Sequence, residues 1–186
     1  MGDVLLRCSD AVVGKRVCFV KTDLWYKGTL IPLGWEIAKT CVRRGLKLRA
    51  HWIWQRAVAF SPYGPSFSNV FLFADNFSRP HFMGIITDAA ATRRKGLPNS
   101  FAPELFCALI ELLTKPHDVI LDPFAGAGGV IEAAAMRDRH SVGVELSRSQ
   151  FQIAVNQLSG IPGFKAINCQ SVLGGFSDGR LSAAPR

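Results

Sequence analysis

Residues 118–147 read DVILDPFAGAGGVIEAAAMRDRHSVGVELS, and the fold is decided there. The apolar run Val119–Leu121 stops at Asp122-Pro123, and glycines and alanines fill 125–129. Val130, Ala133, Ala134 and Arg137 then follow a helical spacing, and a second apolar run, Val142–Val144, ends in Glu145. The pattern predicts strand, tight glycine turn, helix, and strand with an acid at its tip. This is half of a nucleotide-binding α/β unit.

Each residue type in the turn has a chemical reason. Gly126 and Gly128 carry no Cβ, so the chain can turn sharply and bring its amides close to a ligand. Glu145 stands about 20 residues beyond the turn, where an acid can accept hydrogen bonds from a ribose 2′,3′-diol. The turn lacks the GxGxxG spacing, and no Lys-Ser/Thr pair follows it as a phosphate loop requires. Asp122 at the strand end would repel a diphosphate. A ligand with an adenosine end, a cationic or zwitterionic tail and no phosphate suits these residues, and S-adenosyl-L-methionine meets that description. The plainer alternative is an αβ turn whose glycines serve local geometry alone. Turn, strand-end Asp and spaced Glu together favour the ligand.

LDPFAGAGG followed by GVELS resembles the cofactor motif of the DNA amino-methyltransferases, which methylate adenine N6 or cytosine N4. The DPF-x-G-x-G form is more specific to that group than the looser glycine turn of methyltransferases in general. GKRVCFVKTD (14–23), PLGWEIAKTCVRRG (32–45), and LKLRAHWIWQR (46–56) with YGPSFSNVFLFAD (63–75) are similar to strands and a helix of the same family. The resemblance implies an α/β, Rossmann-like S-adenosylmethionine-dependent methyltransferase fold in permuted order, lacking one central strand. It divides the chain into a substrate-side half (1–98), an S-adenosylmethionine-binding half (99–172) and a loose Gly/Ser/Ala-rich tail (173–186).

The resemblance also distributes roles. Asn99, Ser100 and Phe101 fall where the family holds the methionine carboxylate. Asp122 would orient the amino group or tail of the cofactor, and Phe124, Ala125, Gly126 and Gly128 would line it. Glu145 would clamp the ribose, and Leu146 would pack on the adenine. The family's catalytic turn, (Asp/Asn/Ser)-Pro-Pro-aromatic, accepts hydrogen bonds from the target amine while its ring stacks on the extruded base. Ser61-Pro62-Tyr63 has a single proline and lies in a different part of the pattern, so it is rejected as the main motif. Ser61, Pro62, Tyr63 and the strand-end Asp23 stay as minor catalytic candidates. In the matching subgroup the catalytic strand precedes the segment at Met1 and lies beside Val119–Leu121. The expectation is that catalysis lies outside this chain, in a longer or split enzyme with a complementing chain.

Composition narrows the rest. The 186 residues are 48% hydrophobic and 19% charged, which excludes a disordered chain and suits one core. A net charge of +8 fits a polyanionic partner, and the resemblance implies that this is double-stranded DNA. Lys39, Arg43, Arg44, Lys47 and Arg49 form the densest basic cluster, read equally as a phosphate contact or a solvated helix face. The five cysteines show no ligand spacing, so no metal site is expected. Neither a signal peptide nor a membrane-length apolar run is present, and a cytoplasmic protein is expected.

Locally, the pattern predicts a helix through Val4, Leu5 and Cys8, then a strand at Arg16–Val20. A loop over WYKGTLIPLG and a helix from Trp35 to Arg44 follow, with Ile37, Ala38, Cys41 and Val42 inward. Strands are expected at Leu46–Trp54 and Val70–Phe73, with His51 a structural histidine beside two tryptophans. Leu105–Leu113 reads as a helix buried along Leu105, Phe106, Leu109, Leu112 and Leu113. Ser147 reads as the cap of a following helix, and Phe164–Asn168 as a third strand.

Overall fold

A computed structural model describes residues 2–12, 16–56, 67–76, 85–88 and 103–167. The expectations placed on Ser61, Pro62, Tyr63, Asn99, Ser100, Phe101 and the tail 173–186 lie outside the described residues.

The helix α1 (Gly2–Ala11) leads into strand β1 (Val17–Lys21) and a hairpin, β2 (Leu24–Tyr26) and β3 (Thr29–Ile31). Helix α2 (Leu33–Arg43) and strands β4 (Leu48–Arg56), β5 (Phe67–Phe73) and β6 (Ile85–Asp88) follow. Then come α3 (Pro103–Leu113), β7 (Val119–Asp122), α4 (Gly129–Ala135), β8 (His140–Gly143) and α5 (Arg148–Leu158).

Four strands form one sheet in the order β1-β5-β4-β6. β5 is antiparallel to both β1 and β4, and β6 is parallel to β4. Being central, β5 buries both faces, and Val70–Phe73 are fully enclosed. One face packs Phe19, Phe71 and Phe73 against Leu5 of α1 and Ala38 and Cys41 of α2. The other packs Ala50, Trp52, Trp54, Val70 and Leu72 against Leu105, Leu109 and Leu113 of α3.

β7 and β8 form a separate parallel pair, Val119 facing His140 through Asp122 facing Gly143. Helix α3 joins the two sheets. Its opposite flank, Cys107 and Ile110, packs on Ala133 and Ala134 of α4, with Phe106 and Ile120 alongside. Arg16 donates to the carbonyl of Leu113, tying the start of β1 to the end of α3. Asp118, at the start of β7, lines the same cavity of about 730 Å3 as Arg16. Strands β1 and β7 therefore leave from the same end of α3, and their C-terminal ends lie at the opposite edge. Among the described residues, β1 pairs only with β5 and β7 only with β8, so each keeps one open edge.

Several local expectations change. WYKGTLIPLG holds the hairpin rather than a loop, because Lys27 (φ 48°) and Gly28 (φ 75°) make a two-residue turn with both φ positive. β6 is an additional strand. Val4 and Val42 are exposed, on the outer sides of α1 and α2. Residues 164–167 are not a strand; the chain after α5 closes with Ile161–Phe164 turn bonds instead. Among the described residues no helix is long and apolar enough to cross a membrane.

Candidate cofactor site

The glycine turn is held from both sides. The Val144 amide donates to the Asp122 carbonyl at 2.8 Å, and the Ala125 amide donates to the Val144 carbonyl at 2.9 Å. These bonds continue the β7–β8 ladder past the strand ends and bring Glu145 back over the turn. Gly128, with φ 86°, stands in the left-handed region as the N-cap of α4. A Cβ there would also lie 2.6 Å from Leu158 Cδ1, so α5 seats against this bare backbone. The left-handed conformation calls for glycine, and the missing Cβ lets Leu158 pack close.

Glu145 is the centre of the site. Its Oε2 accepts from the Gly126 amide at 2.7 Å and its Oε1 from the Ser147 amide at 2.6 Å. The carboxylate is thus fixed in place by two backbone donors, and each oxygen keeps a lone pair for another partner. Asp122 accepts from the Phe124 amide at 3.0 Å. Burial pushes the Asp122 carboxyl up from its ordinary value; the Phe124 amide pulls it down, and the Glu145 charge adds to the rise. Two acids, one partly desolvated, flank a turn whose Phe124, Ala125, Gly126 and Gly128 amides are bonded within the motif. That field favours a cation and a hydroxyl-bearing ligand over an anion. Leu146, 95% exposed, and Phe124, 45% exposed, offer apolar surface beside them. Ala125 is buried in the turn.

Asp122, Phe124, Ala125, Gly126, Gly128, Glu145 and Leu146 are therefore gathered at one edge. Two supports are absent from the sequence reading. Gly143 lies where a Cβ would meet Ile131 Cδ1 at 2.3 Å, which lets β8 approach α4. The Ser147 amide orients Glu145, while its side chain caps α5 by accepting from the Gln150 amide at 3.5 Å. The glycine that opens GVELS, just ahead of the acid, was the available signal for the first.

Asp23 has a structural occupation. Its oxygens accept from the Gly34 amide at 3.4 Å and the Asn69 side-chain amide at 3.1 Å, which anchors the first turn of α2 to β5. Asn69 in turn meets His51 Nε2 at 3.0 Å. His51 stacks on Phe71 with ring centroids 4.7 Å apart, so it is the structural histidine expected. The basic cluster turns out to be largely engaged within the chain. Lys39 pairs with Glu36, Arg44 with Asp3 and Lys47 with Asp75. Arg49 holds the carbonyls of Ala74 and Asp75. Arg49 and Lys47 lie at the start of β4, away from the glycine turn.

A model of the N6/N4 DNA methylase family matches residues 23–156. The chain belongs to this DNA methylase family. Among curated relatives, the methylase-family chain is 30% identical over 156 residues to the type II methyltransferase M.Cfr9I of Citrobacter freundii. It is 27% identical over 152 residues to M.XycI of Xanthomonas campestris pv. cyanopsidis. Each match covers 70% of this chain and 51% of the relative, so the chain spans about half the length of these relatives. A protein of Thermus thermophilus assigned as a DNA modification methylase, solved complexed with S-adenosyl-L-methionine, superposes with a TM-score of 0.67. It is 23% identical, over 88% of this chain and 77% of that one. The likeness establishes the α/β fold of the methylase-family chain.

Proposed function

We propose that this chain carries the cofactor side of a site-specific DNA methyltransferase, moving a methyl group from S-adenosyl-L-methionine to the exocyclic amine of adenine (N6) or cytosine (N4). The observation that carries the reading is the fixed Glu145 carboxylate over the Gly126 amide, beside a desolvated Asp122. When bound, this cofactor supplies a methyl group on a positively charged sulfur. Glu145 accepts from both ribose hydroxyls through its free lone pairs. Asp122 faces the cationic amino group of the tail, which offsets the cost of keeping it ionised. Leu146 and Phe124 close on the adenine. Asn99, Ser100 and Phe101 hold the carboxylate in this reading. The transfer is an in-line displacement that depends on positioning more than on a strong base.

The open edges of β1 and β7 favour a specific division of labour. Both strands start at the same end of α3 and both pack on it, and a parallel strand placed between their open edges would join them into one sheet. In this reading a segment outside the described residues fills that place and brings the amine-accepting turn to the edge where Asp122 stands. The fold is then the Rossmann-like methyltransferase sheet in permuted order. Double-stranded DNA is the substrate and a complementing chain is a partner.

Titration calorimetry with S-adenosyl-L-methionine tests the cofactor site. Glu145→Ala should weaken binding about tenfold or more through loss of two charge-assisted hydrogen bonds; unchanged affinity would remove the proposed clamp. Labelled-methyl transfer by this chain together with its complementing chain to duplex DNA, RNA and free nucleosides then decides the acceptor, with duplex DNA expected.

A further inference from the structure

The hairpin β2–β3 is out of balance with its surroundings. Each strand has only three residues, paired Leu24 with Ile31, Trp25 with Leu30 and Tyr26 with Thr29. Alternation puts Trp25 and Leu30 on one face, and Leu24, Tyr26 and Ile31 on the other. Trp25 is 60% exposed and Tyr26 55%, with Leu24 and Leu30 also exposed. A two-stranded ribbon this short gains little from its own pairing, and four large apolar side chains in water oppose it. The residues are those of a surface that is covered in use.

Position and charge indicate by what. The hairpin starts directly after Asp23, at the C-terminal end of β1. Since β1 and β7 run from the same end of α3, it rises from the edge that carries the glycine turn. Asp23 bonds to the α2 amide and to Asn69, which fixes the base of the hairpin to the sheet. The two-residue turn makes the tip short and stiff. Lys27 occupies that tip with its ammonium 5.4 Å from the Tyr26 ring centroid, and Lys21 ends β1 below it. Aromatic faces with lysines beside them match the stacked bases and phosphates of a nucleic acid. They match the surface of a protein partner less well, since such surfaces disfavour lysine at their core.

We propose that the hairpin Leu24–Ile31 is a DNA-contacting finger: Trp25 lies against a base left unstacked beside the target, and Lys27 meets the flanking phosphate. This rests on the reading of duplex DNA as substrate. It assigns to the hairpin a role in holding the opened duplex, separate from the cofactor clamp.

The test uses the chain itself, with fluorescence anisotropy of a labelled duplex, intact or carrying one unpaired base. Trp25→Ala should bind the duplex with the unpaired base about tenfold more weakly, as loss of one stacked base implies. Its affinity for the intact duplex should fall less, and Trp25→Phe should restore most of the loss. Lys27→Ala should lower the slope of log affinity against log salt by about one. Wild-type binding with Trp25→Ala indistinguishable from it overturns the finger and leaves the methylation reading standing. A change in sedimentation with unchanged DNA affinity marks a protein-docking surface and overturns it too. A wild-type chain that retains the cofactor but binds neither duplex, alone or with its complementing chain, overturns both.

Discussion

Asp122 holds its carboxyl partly withdrawn from solvent. Burial raises its carboxyl, and the folded state therefore binds a proton more tightly than the unfolded chain. The sign follows. The stability from this group is fully present below the unfolded value and is lost as pH rises through the folded one. At neutral pH the ionised Asp122 is kept at a cost, which the cation of the cofactor would offset. Asp122→Asn keeps an oxygen to accept from the Phe124 amide and removes the charge. In thermal melts without cofactor the variant should be more stable than wild type near pH 7. The gap should close as pH falls toward about 4, the ordinary range of an aspartate. A gap that stays constant across that range would show that Asp122 is not held desolvated. The same substitution should weaken cofactor binding, so stability and affinity move in opposite directions at one residue.

Helix α3 works as the joint between two sheets, and both of its flanks are buried. Leu105, Leu109 and Leu113 face β4 and β5, while Cys107 and Ile110 face α4. Leu105→Ala and Ile110→Ala should each cost about 2–5 kcal/mol in urea unfolding, in a single transition seen by both tryptophan emission and circular dichroism. A helix buried on one side would spare one of the two. The sequence shows part of this. A five-residue apolar stripe was legible because it follows the helical period, but Cys107 and Ile110 fell outside it. Periodicity reports one buried face and is silent when a second element, here α4, covers the other. The glycine turn was legible for the opposite reason: its chemistry is local, fixed by Asp122, Gly126, Gly128 and Glu145 within one βαβ stretch. The hairpin was not, since Lys-Gly is a weaker turn signal than Asn-Gly and three-residue strands are too short to show alternation. Phe164–Asn168 had the composition of a strand, but residues 164–167 make no strand pairing. Asp23 was legible as a strand-end acid, yet its hydrogen bonds to Gly34 and Asn69 depend on chain neighbours far from it.

At the scale of the molecule, two of the edges left open among the described residues belong to β1 and β7. Among the described residues each pairs on one side only, and Val119 of β7 is 67% exposed. Backbone groups on an open edge are satisfied by water, so they gain from pairing only if a strand arrives. Amide exchange distinguishes the two states. In the chain alone, the outward amides of β1 and β7 should exchange at nearly unprotected rates, while those of the enclosed β5 exchange slowly. Adding a chain that supplies an apolar strand ending in a Pro-Pro-aromatic turn should protect those amides. It should also raise the melting temperature and bring labelled-methyl transfer to duplex DNA above background. Edges already protected in the chain alone would mean that the place is filled from within, and the division of cofactor and chemistry between two segments would then fail. Protection without methyl transfer would separate the two halves of the proposal, keeping the strand but placing the amine-accepting group elsewhere.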